Sequence, residues 1–344
     1  GGHRQSSEAA RKIVEDQGYG RGQPGLVNRD EPDHTVYRNL VNQGFRPKRI
    51  RQMSDYVEQV QTELIDQLPT EDGVVDVVSE FAVPGPLYII SDQLGVPREN
   101  YRQFKAWSDA WLIGLGRSIT EEEEVDAAKL VVEMQHYLVA RANERREKPQ
   151  EDVLSDLVTG RVDGKPLSDG EFLAIIEQVM VAGNETTTNG IAAGLLILAE
   201  QPELHDLLRE HPERARDFTE EVLRREAPVQ ALPRRAVDDV ELEGVMIPKD
   251  AAMMVHFGSA NRDPKQFESP DEFDIDRPNK RHHLAFGLGI HHCIGHELGR
   301  AEMQAAFVAF TKRFRRLELV DDELVYHPTF ALRGLESLRL RLVE

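Results

Sequence analysis

Cysteine is almost absent: the chain has one, Cys293, in 344 residues. No disulfide can form within it, which fits a reducing compartment and predicts a cytoplasmic location, and one thiol is left available for a metal or for covalent chemistry. Long apolar runs are missing too. None reaches the roughly 18 residues of a membrane-spanning helix, and the opening GGHRQSSEAARKI has no signal-peptide core. Positive charge is in deficit, with 42 Lys and Arg against 61 Asp and Glu and a formal net charge of −19. Such a chain repels nucleic acid and anionic lipid, so neither nucleic acid nor a membrane is expected as a partner. There is no internal repeat, low-complexity tract or Gly/Ser linker, so one domain over residues 1–344 is expected, working as a monomer.

What is present reads as mainly α with minor β. Apolar spacing and capping signals predict helices over residues 33–43, 53–68, 98–115, 121–147, 150–159, 168–200, 201–209, 213–226 and 294–314. Strand signals are short and late. DDVELEGVMIP alternates around Gly244 like a hairpin, AAMMVHFG reads as a buried strand, and LELV with LRLRLVE would close a small sheet. Residues 264–282, PKQFESPDEFDIDRPNKRH, have no clear period and predict a long ordered loop, a feature that is usually functional or wrapped around something.

The single cysteine lies in HHLAFGLGIHHCIGHELGR, His282 to Arg300. A lone cysteine is most often a packing residue. Three glycines close by, Gly287, Gly289 and Gly295, argue against that, because they permit positive φ and let a flat ligand approach the backbone. Zinc would need four converging ligands, and beyond Cys293, His291, His292 and His296 no second Cys/His cluster is at hand. A thiolate ligand to haem iron accounts for glycines and helix together: the helix beginning after Cys293 presents its positive end and N–H groups to the sulfur. No C-x-x-C-H occurs, so such a haem would be held without covalent attachment.

The stretch FGLGIHHCIG matches in full the Phe-Gly-x-Gly-x-His-x-Cys-x-Gly motif, and here the chain resembles the cytochrome P-450 family. The resemblance implies that family's fold, with haem b (iron protoporphyrin IX) between a long central helix and the cysteine-loop helix. It implies Cys293 as the axial iron ligand, Phe286 packed near the sulfur, and Gly287, Gly289 and Gly295 shaping the loop. It covers the chain from about residue 26 onward. The family begins with a further helix and the first strands of its sheet, which this chain is expected to lack. Asp250 in IPKDAA stands where glycine is usual, so that turn is expected to differ.

Other segments agree with the motif. VMVAGNETTTNG places Asn184, Glu185, Thr186, Thr187 and Thr188 inside an apolar helix, where they would be costly to bury without partners. Threonines bonded back to the preceding turn, with Glu185 reaching solvent, would also satisfy them. The family resemblance makes Glu185 and Thr186 the catalytic, oxygen-activating acid and alcohol. Glu221 and Arg224, three apart on a helix, resemble the family's buried Glu-x-x-Arg pair, joined by Arg277. For the haem propionates the resemblance implies His34 and Arg38, one helical turn apart, with Arg234 and His283; Arg235 could compete with Arg234.

The implied activity is insertion of one oxygen atom from O2 into a hydrophobic small molecule. Trp107, Trp111, Leu112, Ile113, Val179, Val229 to Leu232 and Phe330 fall in the family's substrate regions, and each serves equally well as core. A peroxide-driven oxygenase of the same fold and a non-catalytic haem-binding protein are the rivals; neither explains an acid and alcohol kept together. The chain has no flavin or iron–sulfur motif, so its electrons would come through an acidic ferredoxin and a reductase. The donor would dock on basic clusters: Arg46, Lys48, Arg49 and Arg51, and Lys312, Arg313, Arg315 and Arg316.

Overall fold

The structure, a computed structural model, describes residues 7–20, 23–70 and 73–344; the others, including residues 1–6 of the polar opening stretch, lie outside the described residues. The helices are α1 (Glu8–Gln17), α2 (Asp33–Asn42), α3 (Pro47–Gln52), α4 (Ser54–Asp66), α5 (Pro84–Gln93), α6 (Tyr101–Leu112) and α7 (Glu121–Glu147). They continue with α8 (Val153–Thr159), α9 (Asp169–Glu200), α10 (Pro202–Glu210), α11 (Ala215–Arg225), α12 (Phe257–Ala260) and α13 (His296–Arg313). The strands are β1 (Val74–Asp76), β2 (Arg161–Val162), β3 (Lys165–Pro166), β4 (Ala231–Arg235), β5 (Val240–Leu242), β6 (Val245–Ile247), β7 (Ala252–His256), β8 (Arg316–Leu319) and β9 (Arg339–Val343).

The long helix α9 organises the interior. It starts at a capping box in which Ser168 accepts the Glu171 amide and Glu171 accepts the Ser168 amide, satisfying donors that a helix start leaves open. Its first half, Phe172 to Val181, packs with α5, α6, α7 and α8 in one apolar core. Its second half, Ile191 to Leu198, belongs to another core with α4, α13, β8 and β9. The polar interval read from the sequence therefore falls between two cores. Helix α13 crosses the second half closely: a Cβ on Gly194 would lie 2.2 Å from the Phe307 ring, and one on Gly190 would lie 3.0 Å from Met303. Phe307 in turn meets Phe218 of α11 edge to face. This contact sets how near the start of α13, and so the cysteine loop, comes to α9.

The sheets are small and antiparallel, in the order β1-β9-β8, with separate pairs β2-β3, β4-β7 and β5-β6. The pairing of β8 with β9 was expected, and β1 adds a third strand. The β5-β6 hairpin turns at Glu243 and Gly244, whose φ of 49° and 78° are the left-handed pair a two-residue turn requires. Its apolar side chains Leu242, Val245 and Met246 are about 60% exposed. Asp250, at φ 65°, takes the left-handed turn position that glycine favours.

Two expectations need correction. AAMMVHFG forms β7 but not a buried strand: β7 pairs on one side only, with β4, and Met254 and Val255 are each 38% exposed. Helices α1, α3, α5 and the short α12 lie outside the predicted set. Helix α5 was hidden by its Pro-Gly-Pro start, which looks like a breaker, although proline at the first helical turn lacks only an N–H that would be unbonded there anyway. Helix α1 precedes α2 and packs on α7.

Helix propensity alone predicts that Gly194→Ala stabilises the chain by about 0.5–1 kcal/mol. The contact with Phe307 predicts the reverse, a loss of about 1–3 kcal/mol from overpacking, partly recovered when Phe307→Leu is added. Urea unfolding of the unsubstituted chain and the two variants decides, and a stabilised Gly194→Ala would mean that the helices are not held at this separation.

Candidate functional site

In the interval between the cores, α9 turns one stripe toward open space. Ala182 is exposed and Gly183, Glu185 and Thr186 are half-buried, whereas Asn184, Thr187, Thr188 and Asn189 are buried. Two of the buried members find partners: Asn184 donates to Ser108 Oγ of α6 (3.2 Å), and Thr188 donates to the Ala82 carbonyl (2.9 Å), whereas Asn184 Oδ1 and Asn189 Nδ2 are buried without a hydrogen-bond partner. Thr186 Oγ1 donates back to the Ala182 carbonyl at 2.8 Å. Glu185 is only partly open to solvent, its side chain 13% exposed; Lys105 Nζ of α6 stands 3.5 Å from its Oε2 and also binds Asp109. Burial works to lower the Lys105 pKa, but the two carboxylates outweigh it and the net shift is upward.

The cysteine loop forms as its glycines suggest. Gly287 and Gly289 have φ of 68° and 75°, which turn the chain so that the Cys293 amide donates to the Phe286 carbonyl at 2.8 Å. Gly295 is the residue at which α13 starts. Cys293 is half-buried. Burial pushes its thiol up, while the Gly295 amide, Arg38 and Arg300 pull the other way.

Beside the loop lies a group of nitrogen donors. His34 of α2 is 2% exposed, yet neither ring nitrogen has a hydrogen-bond partner, and the nearest carboxylate, Glu31, stands at 3.7 Å. Its ring centroid is 4.4 Å from that of His291. Arg38 reaches the His292 carbonyl at 2.6 Å. His291 is lowered first by burial and then by the charges of His34 and Arg234, which brings β4 into the same group. Arg235 points to Asp250 (3.8 Å), whereas Arg234 has no carboxylate partner among the described residues, so the competition between them resolves toward Arg234. An unpartnered imidazole, with guanidinium groups that have no carboxylate partner among the described residues, beside a lone thiol is the donor set that a flat, doubly anionic ligand with a thiolate-seeking metal requires. The residues fit haem.

His283 stands apart from this group. Its Nε2 is 3.1 Å from Glu220 Oε2, and its Nδ1 accepts the Ala285 amide, so both nitrogens are engaged inside the protein. Arg300 of α13 also holds Glu220, at 2.7 Å. These partners overcome the effect of burial and bring the Glu220 carboxyl down to about 2. Neither His283 nitrogen is thus left free, and the histidine that stands beside His34 is His291, two residues ahead of Cys293.

Glu221, Arg224 and Arg277 come together as the sequence suggested. Arg224 makes two 2.8 Å bonds to Glu221 and donates to the carbonyls of Asn261, Pro270 and Glu272. Arg277 Nε is 3.2 Å from Glu221 and also binds the Ser269 and Glu272 carbonyls. Of the residues in the expected substrate regions, Trp107 and Val179 are core. Leu112, Ile113, Val229 and Leu232 are half-buried and Phe330 is exposed, with the Phe330 amide bonded to the Gly116 carbonyl at 3.2 Å. Lys105, Glu220 and Arg300 were not foreseen, and the sequence suggested His291 only as a candidate zinc ligand and as part of the cysteine motif.

Comparison with known proteins follows the same line. The family model of cytochrome P450 matches residues 100–335. The polyketide biosynthesis cytochrome P450 PksS of Bacillus subtilis is 35% identical over 320 residues, 92% of this chain and 77% of that protein. The 6-deoxyerythronolide B hydroxylase of Saccharopolyspora erythraea is 36% identical over 316 residues, 91% of this chain and 76% of that protein. Among solved structures, P450BioI in complex with a hexadec-9Z-enoic acid ligated acyl carrier protein superimposes with a TM-score of 0.89 at 31% identity, covering 99% of this chain and 86% of that one.

Two buried carboxyls set opposite pH dependences. Glu220, held at about 2 against an ordinary 4.5, contributes stability present above pH 4.5 and lost as pH falls toward 2. Glu302 of α13, 3% exposed with Oε2 unbonded, is pushed by burial to about 8, so the folded chain keeps a proton that the unfolded chain releases and stability falls as pH rises from 4.5 to 8. Glu302→Gln should flatten that decline, and Glu220→Gln should remove part of the acid-side loss. Urea midpoints across this range check both; a decline in Glu302→Gln parallel to that of the unsubstituted chain would place the proton elsewhere.

Proposed function

The chain belongs to the cytochrome P450 family and is a haem-dependent monooxygenase, and on that premise we propose that it oxidises a hydrophobic small molecule with electrons from an acidic ferredoxin-type donor. The observation that carries the reading is the half-open stripe Ala182, Gly183, Glu185 and Thr186, an acid and an alcohol on an otherwise apolar helix.

Cys293 would be the axial ligand, and His34, Arg38, His291 and Arg234 would hold the propionates. When bound, the haem supplies the redox chemistry of oxygen activation, with the thiolate donating electron density to the iron. The protein supplies positions and protons. Thr186 Oγ1, resting against the Ala182 carbonyl at 2.8 Å, can turn its hydrogen into the cleft. Glu185, tethered to Lys105, can bring a proton to the same place from the solvent side. Glu221, Arg224 and Arg277 would keep the loop before the cysteine in shape and take no part in chemistry. An acid and alcohol kept together favour donor-driven over peroxide-driven oxidation.

The half-exposed Leu112, Ile113, Val229, Leu232 and the exposed Phe330 support an apolar substrate. The relatives' names support the narrower class of polyketide-like or fatty-acyl compounds. Thr186→Ala should bind haem as before and still consume reducing equivalents, but release more hydrogen peroxide and less product. Unchanged coupling of electrons to product in Thr186→Ala, or equal turnover with peroxide alone, would count against the reading.

For the donor, α3 packs on α13, the helix that follows Cys293. Arg49 is engaged with Asp156 (3.1 Å) and the Glu151 carbonyl (2.7 Å), so the charges left for docking there are Arg46, Lys48 and Arg51, all exposed. Of the second cluster, Arg313 is held by Glu344 at 2.6 Å. Ferredoxin reduction should slow as salt rises, since exposed charges beyond the ~8 Å Debye length at physiological ionic strength are screened. Arg46→Glu with Arg51→Glu should slow it further without changing substrate affinity. Rates indifferent to both would place the donor elsewhere.

A further inference from the structure

Behind the cysteine loop sits a charge arrangement that the reaction as described does not use. Glu220 of α11, fully buried, is gripped from two directions. His283 Nε2, 3.1 Å away, comes from the chain entering the cysteine loop, and Arg300, with Nε at 2.7 Å and Nη2 at 3.3 Å, comes from α13 just after the loop. Arg281, half-exposed, adds a weaker contact at 3.8 Å. One carboxylate thus clamps both ends of the segment carrying Cys293. Arg300 also lies over the Phe286 ring at 4.5 Å, and Phe286 is the residue whose carbonyl receives the Cys293 amide. The third nitrogen of Arg300, Nη1, meets His296 Nδ1 at 2.9 Å, so its guanidinium is held at every corner.

We propose that Glu220 and Arg300 form a positioning pair whose balanced charges set the reduction potential of the iron bound at Cys293. The proposal rests on Cys293 as the axial ligand. The physical ground is that a charge held in low dielectric acts over longer distances than one in water, and that charge near a thiolate ligand is one of the protein's means of tuning a haem. Arg300 lowers the free energy of the more negative, reduced site. Glu220 offsets it. The field of Arg300 reaches the sulfur, where it favours the thiolate. Glu220 is separate from the neighbouring Glu221 network, which binds Arg224 and Arg277, so the pair can be altered without removing the residues that shape the long loop.

The design of the test is to compare signs. Wild type, Glu220→Gln, Arg300→Gln and the double variant are loaded with haem, and each is titrated with a redox mediator while its reduced carbon monoxide spectrum is recorded. Glu220→Gln should raise the potential, because Arg300 is no longer offset; Arg300→Gln should lower it; the double variant should return close to wild type. Arg300→Lys, which keeps the charge, should also stay close. A purely mechanical clamp would instead move both single variants the same way, toward loss of the strongly red-shifted Soret band of the thiolate complex. If Arg300→Gln holds too little haem to titrate, the double variant and Arg300→Lys carry the decision: departure of either from the wild-type potential overturns the proposal. A wild type that itself lacks the red-shifted band would overturn the ligand assignment; a wild type with the band and single variants shifting together overturns only the charge balance.

Discussion

The structure depends on a pair of charges with no access to water. Glu221 and Arg224 are both fully buried, and removing either alone would strand the other at a cost of about 3–5 kcal/mol. What makes the burial tolerable is that their remaining hydrogen-bonding capacity is used by the backbone of the loop over residues 264–282 and of Asn261 just before it: the Asn261, Pro270 and Glu272 carbonyls bind Arg224, the Asp274 amide binds Glu221, and Arg277 closes the set. A long segment without helix or sheet ladders has few ways to satisfy its own polar groups. Here the ion pair does so, and the loop it fixes leads directly into the cysteine turn. Chemistry at Cys293 is thus downstream of an interaction that touches neither cofactor nor substrate.

The second organising constraint is that α9 serves two cores at once. A helix that is apolar all round is ordinarily buried throughout. This one is apolar at both ends, and in the middle it carries a polar interval of which Asn184 is bonded to α6 and Thr188 to the segment before α5. Only Glu185 and Thr186 remain half-open, on one stripe. The close crossing at Gly190 and Gly194 then brings the cysteine helix against the second half of α9, so one packing contact relates the thiol to the acid and alcohol.

Much of this was legible in the amino acids because the chemistry is unusual. A lone cysteine among glycines, threonines and an acid inside an apolar helix, and a Glu-x-x-Arg followed far away by Arg277 are improbable as packing, and each is found where the pattern implied. What was not legible depends on partners brought from distant sequence. His283 stands three residues ahead of the motif and His291 within it, and only the placement of Glu220 shows that the first faces inward. Lys105 reads as one charge on an amphipathic helix until α6 is laid beside α9. Arg49 looked available until α8 supplied Asp156. Helix α5 was masked by prolines that mean "stop" inside a helix and "start" at its first turn, and the exposure of β7 depends on which of its edges is paired, which no local pattern encodes.

The β5-β6 hairpin has a further consequence. Its Leu242, Val245 and Met246 face water, and the acidic residues interleaved with them, Asp238, Asp239, Glu241 and Glu243, are all exposed. An apolar ribbon fringed with carboxylates is kept apart from other ribbons by long-range repulsion rather than by any contact. Its protection is thus a colloidal property: concentrated salt, which leaves the buried ion pairs nearly untouched, shortens the range of that repulsion, so the apolar edge of this hairpin is guarded least at high ionic strength.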